Sequence, residues 1–152
     1  MFNGKIYTAP QTIKNSQRKS IFLAGSIEMG KAVKWQAETA LKLSECFDVY
    51  NPRREDWDSS WEQKAENPHF YQQVNWELNA MKVSDVVLFY FDPDTISPVS
   101  MLELGLFWNK AIVVCPEGFH RKGNIDIVCS TFKITTFESL SDAINLLVKG
   151  KI

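Results

Sequence analysis

The chain has 152 residues, 45% of them hydrophobic, a usual size and composition for one domain with a sizeable core spanning residues 1–152. Its 17 basic and 18 acidic residues nearly cancel, so no global field draws it to nucleic acid or to an anionic membrane, and a small-molecule partner is expected. No apolar run approaches the roughly 18 to 20 residues that span a bilayer, and the N-terminus lacks the apolar middle of a signal peptide, which points to a cytoplasmic location. Cys46, Cys115 and Cys129 are scattered, odd in number and without metal-ligand spacing, as expected of buried structural thiols in a reducing compartment.

Residues 1–19 are polar, contain Pro10, and read as an extended arm rather than a packed element, with Tyr7 as the exception. Ser20 to Ala24 is a short apolar run ended by Gly25-Ser26, the pattern of a buried strand entering a turn. From Lys31 to Leu43 apolar residues recur at helical spacing. Cys46 to Tyr50 is a second strand, stopped by Asn51-Pro52-Arg53-Arg54 because proline fixes its own dihedral and restricts its neighbour. The polar stretch from Arg53 to Pro68 carries Trp57 and Trp61 and is long enough to act as a lid.

Phe70 to Val83 returns to helical spacing, and Asp85 to Tyr90 is a third buried strand. Ser100 opens a helix to Asn109, Ala111 to Cys115 makes a fourth strand, Lys133 to Thr136 a fifth, and Ser139 introduces a closing helix over Leu140 to Val148. Strands alternating with helices specify an α/β three-layer sandwich. The expected form is a flavodoxin/Rossmann-like, mostly parallel, five-stranded sheet with helices on both faces, binding ligands beyond the carboxyl ends of its strands. The candidate loops are Gly25 to Gly30, Asn51 to Trp57, Asp92 to Glu103 and the stretch after Pro116.

In the first of these, Gly25, Ser26 and Ile27 lead to a helix N-terminus, a place that holds phosphates or hydroxyls but also a common strand-to-helix turn. The third gathers Asp92, Asp94 and Glu103 near one strand end, with Glu103 in the first helical turn, where the helix dipole favours the ionised carboxylate that attack on an anomeric carbon requires. By spacing alone, Ser100-Met101-Leu102-Glu103 reads first as a capping box. Glu77 is a candidate second carboxylate, although a glutamate on an amphipathic helix normally belongs to the solvated face. Arg53 and Arg54 suit an anion or a pairing with Glu55 and Asp56. Trp35 and Trp108 sit at core-like positions, and His69 and His120 have neither nucleophile partners nor metal spacing.

The segments FLAGSIEMGKAVKWQ, NPRR, VNWELNAMKVSDVVLFYF and SPVSMLELG resemble, in order and distance, the nucleoside 2-deoxyribosyltransferase superfamily from Ile21 to about Glu117. The resemblance is nearest to the nucleoside 2-deoxyribosyltransferase-like branch, some members of which are carried by phages. It implies that Glu103, in Leu102-Glu103-Leu104-Gly105, is the nucleophile, which reverses the preference for a cap. Glu77, eight positions before Asp85, takes the place of the second active-site carboxylate, usually aspartate, with one methylene more. Ser97, six positions before Glu103, matches a phosphate-binding serine of relatives that hydrolyse deoxynucleoside 5′-monophosphates; the transferases often have aspartate there.

What the resemblance implies is a retaining transfer of 2-deoxyribose between bases through a glycosyl-Glu103 intermediate, with no cofactor and no metal. Asn51, Pro52, Arg53, Arg54, Trp57, Asp92, Ser97, Ser100 and the Gly25 loop would surround a nucleoside or nucleotide substrate. A 2′-deoxynucleoside 5′-monophosphate N-hydrolase and a non-catalytic nucleotide-binding module are the alternatives. Relatives in which a neighbouring chain completes the site imply a homo-oligomer, a dimer or larger.

Overall fold

A computed structural model describes residues 4–27 and 34–150. Among them six strands form one sheet: β1 (Ile6–Thr8), β2 (Ser20–Gly25), β3 (Asp48–Asn51), β4 (Val86–Tyr90), β5 (Ala111–Val114) and β6 (Thr135–Phe137). The helices are α1 (Gln36–Leu43), α2 (Pro68–Val83), α3 (Pro98–Phe107), α4 (Lys122–Phe132) and α5 (Leu140–Val148), with a short 3-10 turn at Trp108–Lys110. The strand order is β1-β3-β2-β4-β5-β6 and each pairing is parallel. Without β1 this is the flavodoxin-like doubly wound order, whose reversal point lies between β2 and β4.

The period of two along the central strands splits the core in two layers. Phe22, Ala24, Val87, Phe89 and Val113 project to one face, against Ala80 and Met81 of α2, Leu104 of α3, and Ile125 and Cys129 of α4. Ile21, Leu23, Leu88, Ile112 and Val114 project to the other, against Trp35, Ala40 and Leu43 near α1 and Ala143, Ile144 and Leu147 of α5. Since both faces are covered there, the central strands β4 and β5, and β2 after Ser20, are apolar along their length, which is why they read as continuous rather than alternating runs. No helix of the described residues is long and apolar enough to cross a membrane.

Local chemistry accounts for the helix starts. Asn67 accepts the backbone N–H of His69 and Phe70 at 3.0 and 3.2 Å, with Pro68 at the first helical position, so α2 begins two residues before its apolar periodicity. Ser139 accepts the N–H of Asp142 at 3.1 Å and starts α5.

Several expectations are corrected. The arm is partly packed: Ile6–Thr8 adds a sixth strand at the edge beside β3, and Tyr7 is buried with its ring 5.8 Å from that of Tyr50. A three-residue strand is too short to show a period, and the open edge of β3 makes it. The stretch after Pro116 contains α4, which buries only Ile125 and Cys129 and so presents little apolar signal. Lys133 is not in a strand but is the left-handed residue ending α4, with φ 57°, and β6 starts at Thr135. Trp108 is 43% exposed and packs tilted against Phe132, ring centroids 5.1 Å apart, rather than entering the core. The helix expected from Lys31 and the loop to Gly30 fall partly on residues 28–33, outside the described residues.

Candidate active site

Beyond the carboxyl ends of β2 and β4, at the reversal of strand order, lies a cavity of about 660 Å³. Gly25 at the end of β2, with Ser26 and Ile27 after it, forms one wall, and Pro52, Arg54 and Trp57 after β3 another. Gln73 and Glu77, one turn apart on α2, face Ser97, Ser100 and Glu103 of the α3 segment across the space.

Gly25 is required by close approach. A Cβ there would lie 2.6 Å from Cζ2 of Trp35 and 2.9 Å from the carbonyl oxygen of Tyr90. The Trp35 ring in turn packs edge-on against Tyr90, centroids 5.2 Å apart, so the β2 and β4 ends are drawn together beneath the cavity.

The α3 segment starts with Ser97 in the left-handed region at φ 48°, followed by Pro98 as the first helical residue. This overturns the capping box. Ser100 is inside the helix, Ser97 makes no side-chain cap, and Glu103 sits in the second turn, buried at 8% exposure in the cavity wall. The dipole expectation is also overturned: burial strips water from the Glu103 carboxyl and pushes its pKa up to about 7.

Glu77 is not on a solvated face. As a residue it is half-buried and borders the cavity. Burial first, and the charge of Glu103 second, push its pKa up to about 8. Gln73 is held for contact with Glu77 by its Nε2, which donates to the Pro52 carbonyl at 2.7 Å. The two carboxyl groups titrate as a pair, both raised by burial, and once the first proton has left, the cavity holds one carboxylate and one carboxylic acid, the pair needed for a nucleophile and a proton donor.

Arg54 borders the cavity with its Nε and Nη2 on Asp56 at 2.8 and 3.0 Å and its guanidinium 5.5 Å from the centre of the Trp61 ring. Trp61 stacks on His69 at 4.0 Å and meets Trp57 edge-on at 4.9 Å. The long polar loop is thus organised by its own aromatic cluster and supplies Trp57 and Gln63 to the wall.

Three expected residues do not line the cavity. Asn51 accepts the N–H of Arg53 at 2.9 Å and shapes the turn after β3, Arg53 is buried beside it, and Asp92 accepts the N–H of Asp94 at 2.9 Å and shapes the turn after β4. The stretch after Pro116 contributes nothing to the described lining. Gln73, Phe70 and Asp94 line it without having been picked out as substrate contacts; for Gln73, the one-turn spacing from Glu77 was the available signal.

A model of the family described as nucleoside 2-deoxyribosyltransferase like matches residues 18–119. No curated protein matches the chain. Among solved structures, the crystal structure of a conserved protein from Enterococcus faecalis V583 superposes with a TM-score of 0.59 at 15% identity, covering 89% of this chain and 99% of that one, a likeness of fold.

Proposed function

The chain belongs to the nucleoside 2-deoxyribosyltransferase-like family, and from that membership we propose that it works on the N-glycosidic bond of deoxynucleosides, moving 2-deoxyribose between bases. The observation that carries this reading is the pair of carboxyl groups, Glu77 and Glu103, raised to about 8 and about 7 in one cavity. The cavity's about 660 Å³ is within the range of small-molecule sites.

In the first step the Glu103 carboxylate attacks C1′, the C1′–N bond breaks with its electron pair going to the base, and the Glu77 acid protonates the departing nitrogen. The glycosyl-Glu103 ester is then opened by a second base, whose nitrogen attacks C1′ and passes its proton to Glu77. Two inversions give net retention. Water in place of the second base would give hydrolysis, with the same atoms in the same roles.

Self-association belongs to the proposal. Val99, Leu102 and Leu106 are 61%, 65% and 57% exposed and form a stripe along α3, the helix that carries Glu103, and Val99 also borders the cavity. A second copy on this stripe would close the cavity mouth.

The test is chromatography of deoxynucleosides incubated with the protein, with and without a free acceptor base, beside Glu103→Gln. A new nucleoside formed by the parent and absent with the variant supports transfer, and free base regardless of acceptor supports hydrolysis. Ligand bound equally by both proteins with no product from either would make the protein a binding module.

A further inference from the structure

Gln73 is 7% exposed, lies on α2 one turn before Glu77 and lines the cavity with it. Its Nε2 donates to the carbonyl oxygen of Pro52 at 2.7 Å. A carbonyl can only accept, so this contact fixes which end of the amide is the nitrogen. The other end, Oε1, is buried and has no hydrogen-bond partner among the described residues. Flipping the amide would set oxygen against oxygen at Pro52, so the orphaned acceptor belongs to the fold. A buried acceptor left unmatched is costly and calls for a donor.

A primary amide has a second N–H, and Gln73 acts as a hydrogen-bond donor on the Glu77 carboxyl. Burial and the charge of Glu103 keep a proton on that carboxyl, and an acid, unlike a carboxylate, carries an O–H. We infer that Gln73 is a positioning residue: its amide closes a ring with the Glu77 acid, one N–H donated to the acid's carbonyl oxygen and Oε1 accepting the acid's O–H. The inference deepens the glycosidic reading and rests on it for the use made of the proton. When the departing base takes that proton, Oε1 is orphaned while the N–H stays on the new carboxylate. The proton that the incoming base passes to Glu77 closes the ring again.

The two halves of the ring pull in opposite directions. The N–H favours ionised Glu77, and Oε1 favours the acid. An orphaned buried acceptor costs more than an N–H gains when its partner becomes charged, so the acid is the form the amide holds. The other charged groups that share the cavity with Glu77 are Glu103 on α3, Asp94 after β4 and Arg54 after β3, the last bound to Asp56. A change at Gln73 leaves their charges as they are.

The test is the titration of Glu77, followed by carbon NMR of the labelled side chain in Glu103→Gln, with and without Gln73→Met. Methionine matches the length of glutamine and offers neither N–H nor amide oxygen. The proton affinity of Glu77 is expected to fall about tenfold, the worth of one buried hydrogen bond. In Gln73→Met alone, the alkaline limb of kcat/KM should move to lower pH by the same factor. A rise in affinity would make Gln73 an N–H donor only, and an unmoved titration would make it a packing contact; either overturns the ring.

The parent offers a check that no folding defect can spoil. The acid C=O stretch of Glu77 in the infrared, assigned by its loss in Glu77→Gln, is expected at the low frequency of a doubly hydrogen-bonded acid, and a free-acid frequency overturns the inference. Neither the NMR nor the infrared needs turnover. A shifted titration with no product from any deoxynucleoside fails the glycosidic reading and leaves the pair standing, whereas turnover with an unshifted titration fails this inference alone.

Discussion

The charge of Glu103 on α3 raises the pKa of Glu77 on α2, so the two carboxyl groups titrate as a pair. Burial is the larger cause for both and sets Glu103 near 7 and Glu77 near 8. Neither group gains from being ionised inside the fold, so the pair costs stability at neutral pH and is the cavity's candidate for chemistry.

The rate should follow. Turnover requires Glu103 ionised, above about 7, and Glu77 protonated, below about 8, so kcat/KM is expected to trace a narrow bell between those values. Glu77→Gln should remove the alkaline limb, and Glu103→Gln should lower the rate by more than about a thousandfold. A profile flat across this range would sink the division of roles.

Stability should respond in the same window. Each carboxyl binds its proton more tightly folded than unfolded, where its pKa is near 4.5, so the folded chain holds more protons between about 4.5 and 8. Stability therefore falls as pH rises across that window and levels off above it. Glu77→Gln should be more stable than the parent above the window, by on the order of 2 kcal/mol, and should flatten the dependence. Thermal melts at several pH values check the sign.

Gly25→Ala places a Cβ 2.6 Å from the Trp35 ring and 2.9 Å from the Tyr90 carbonyl, and the backbone oxygen cannot swing aside as a side chain would. Overpacking of this kind costs about 1–3 kcal/mol. Urea unfolding should show that loss, and the displaced Ser26–Ile27 wall should raise KM.

Leu102→Glu charges the centre of the α3 stripe at a position 65% exposed in the monomer, so the fold should tolerate it. Sedimentation should show an assembled parent and a monomeric variant with lowered activity. A parent that is monomeric at all concentrations would rule out a cavity completed by a second copy.

Much of the fold was legible in the residues because its signals are local. The runs that follow Ser20 and Asp85 and the one that starts at Ala111 are apolar throughout, as doubly covered strands must be, and Ser139 with the periodic apolar residues after it places α5 at Leu140–Val148. Elements made by their neighbours were less visible. Ile6–Thr8 becomes a strand through the free edge of β3, and α4 has only two buried residues to announce it.

The site divides in the same way. By itself the sequence determined the strand-helix alternation, the family motifs and thus the positions of Glu77 and Glu103, because these are matters of residue type and spacing along one chain. Whether Glu103 caps a helix or faces a cavity depended on where α3 begins, which Ser97 and Pro98 decide in three dimensions. The raised pKa values arise only when two helices distant in sequence enclose both carboxyl groups and remove their water.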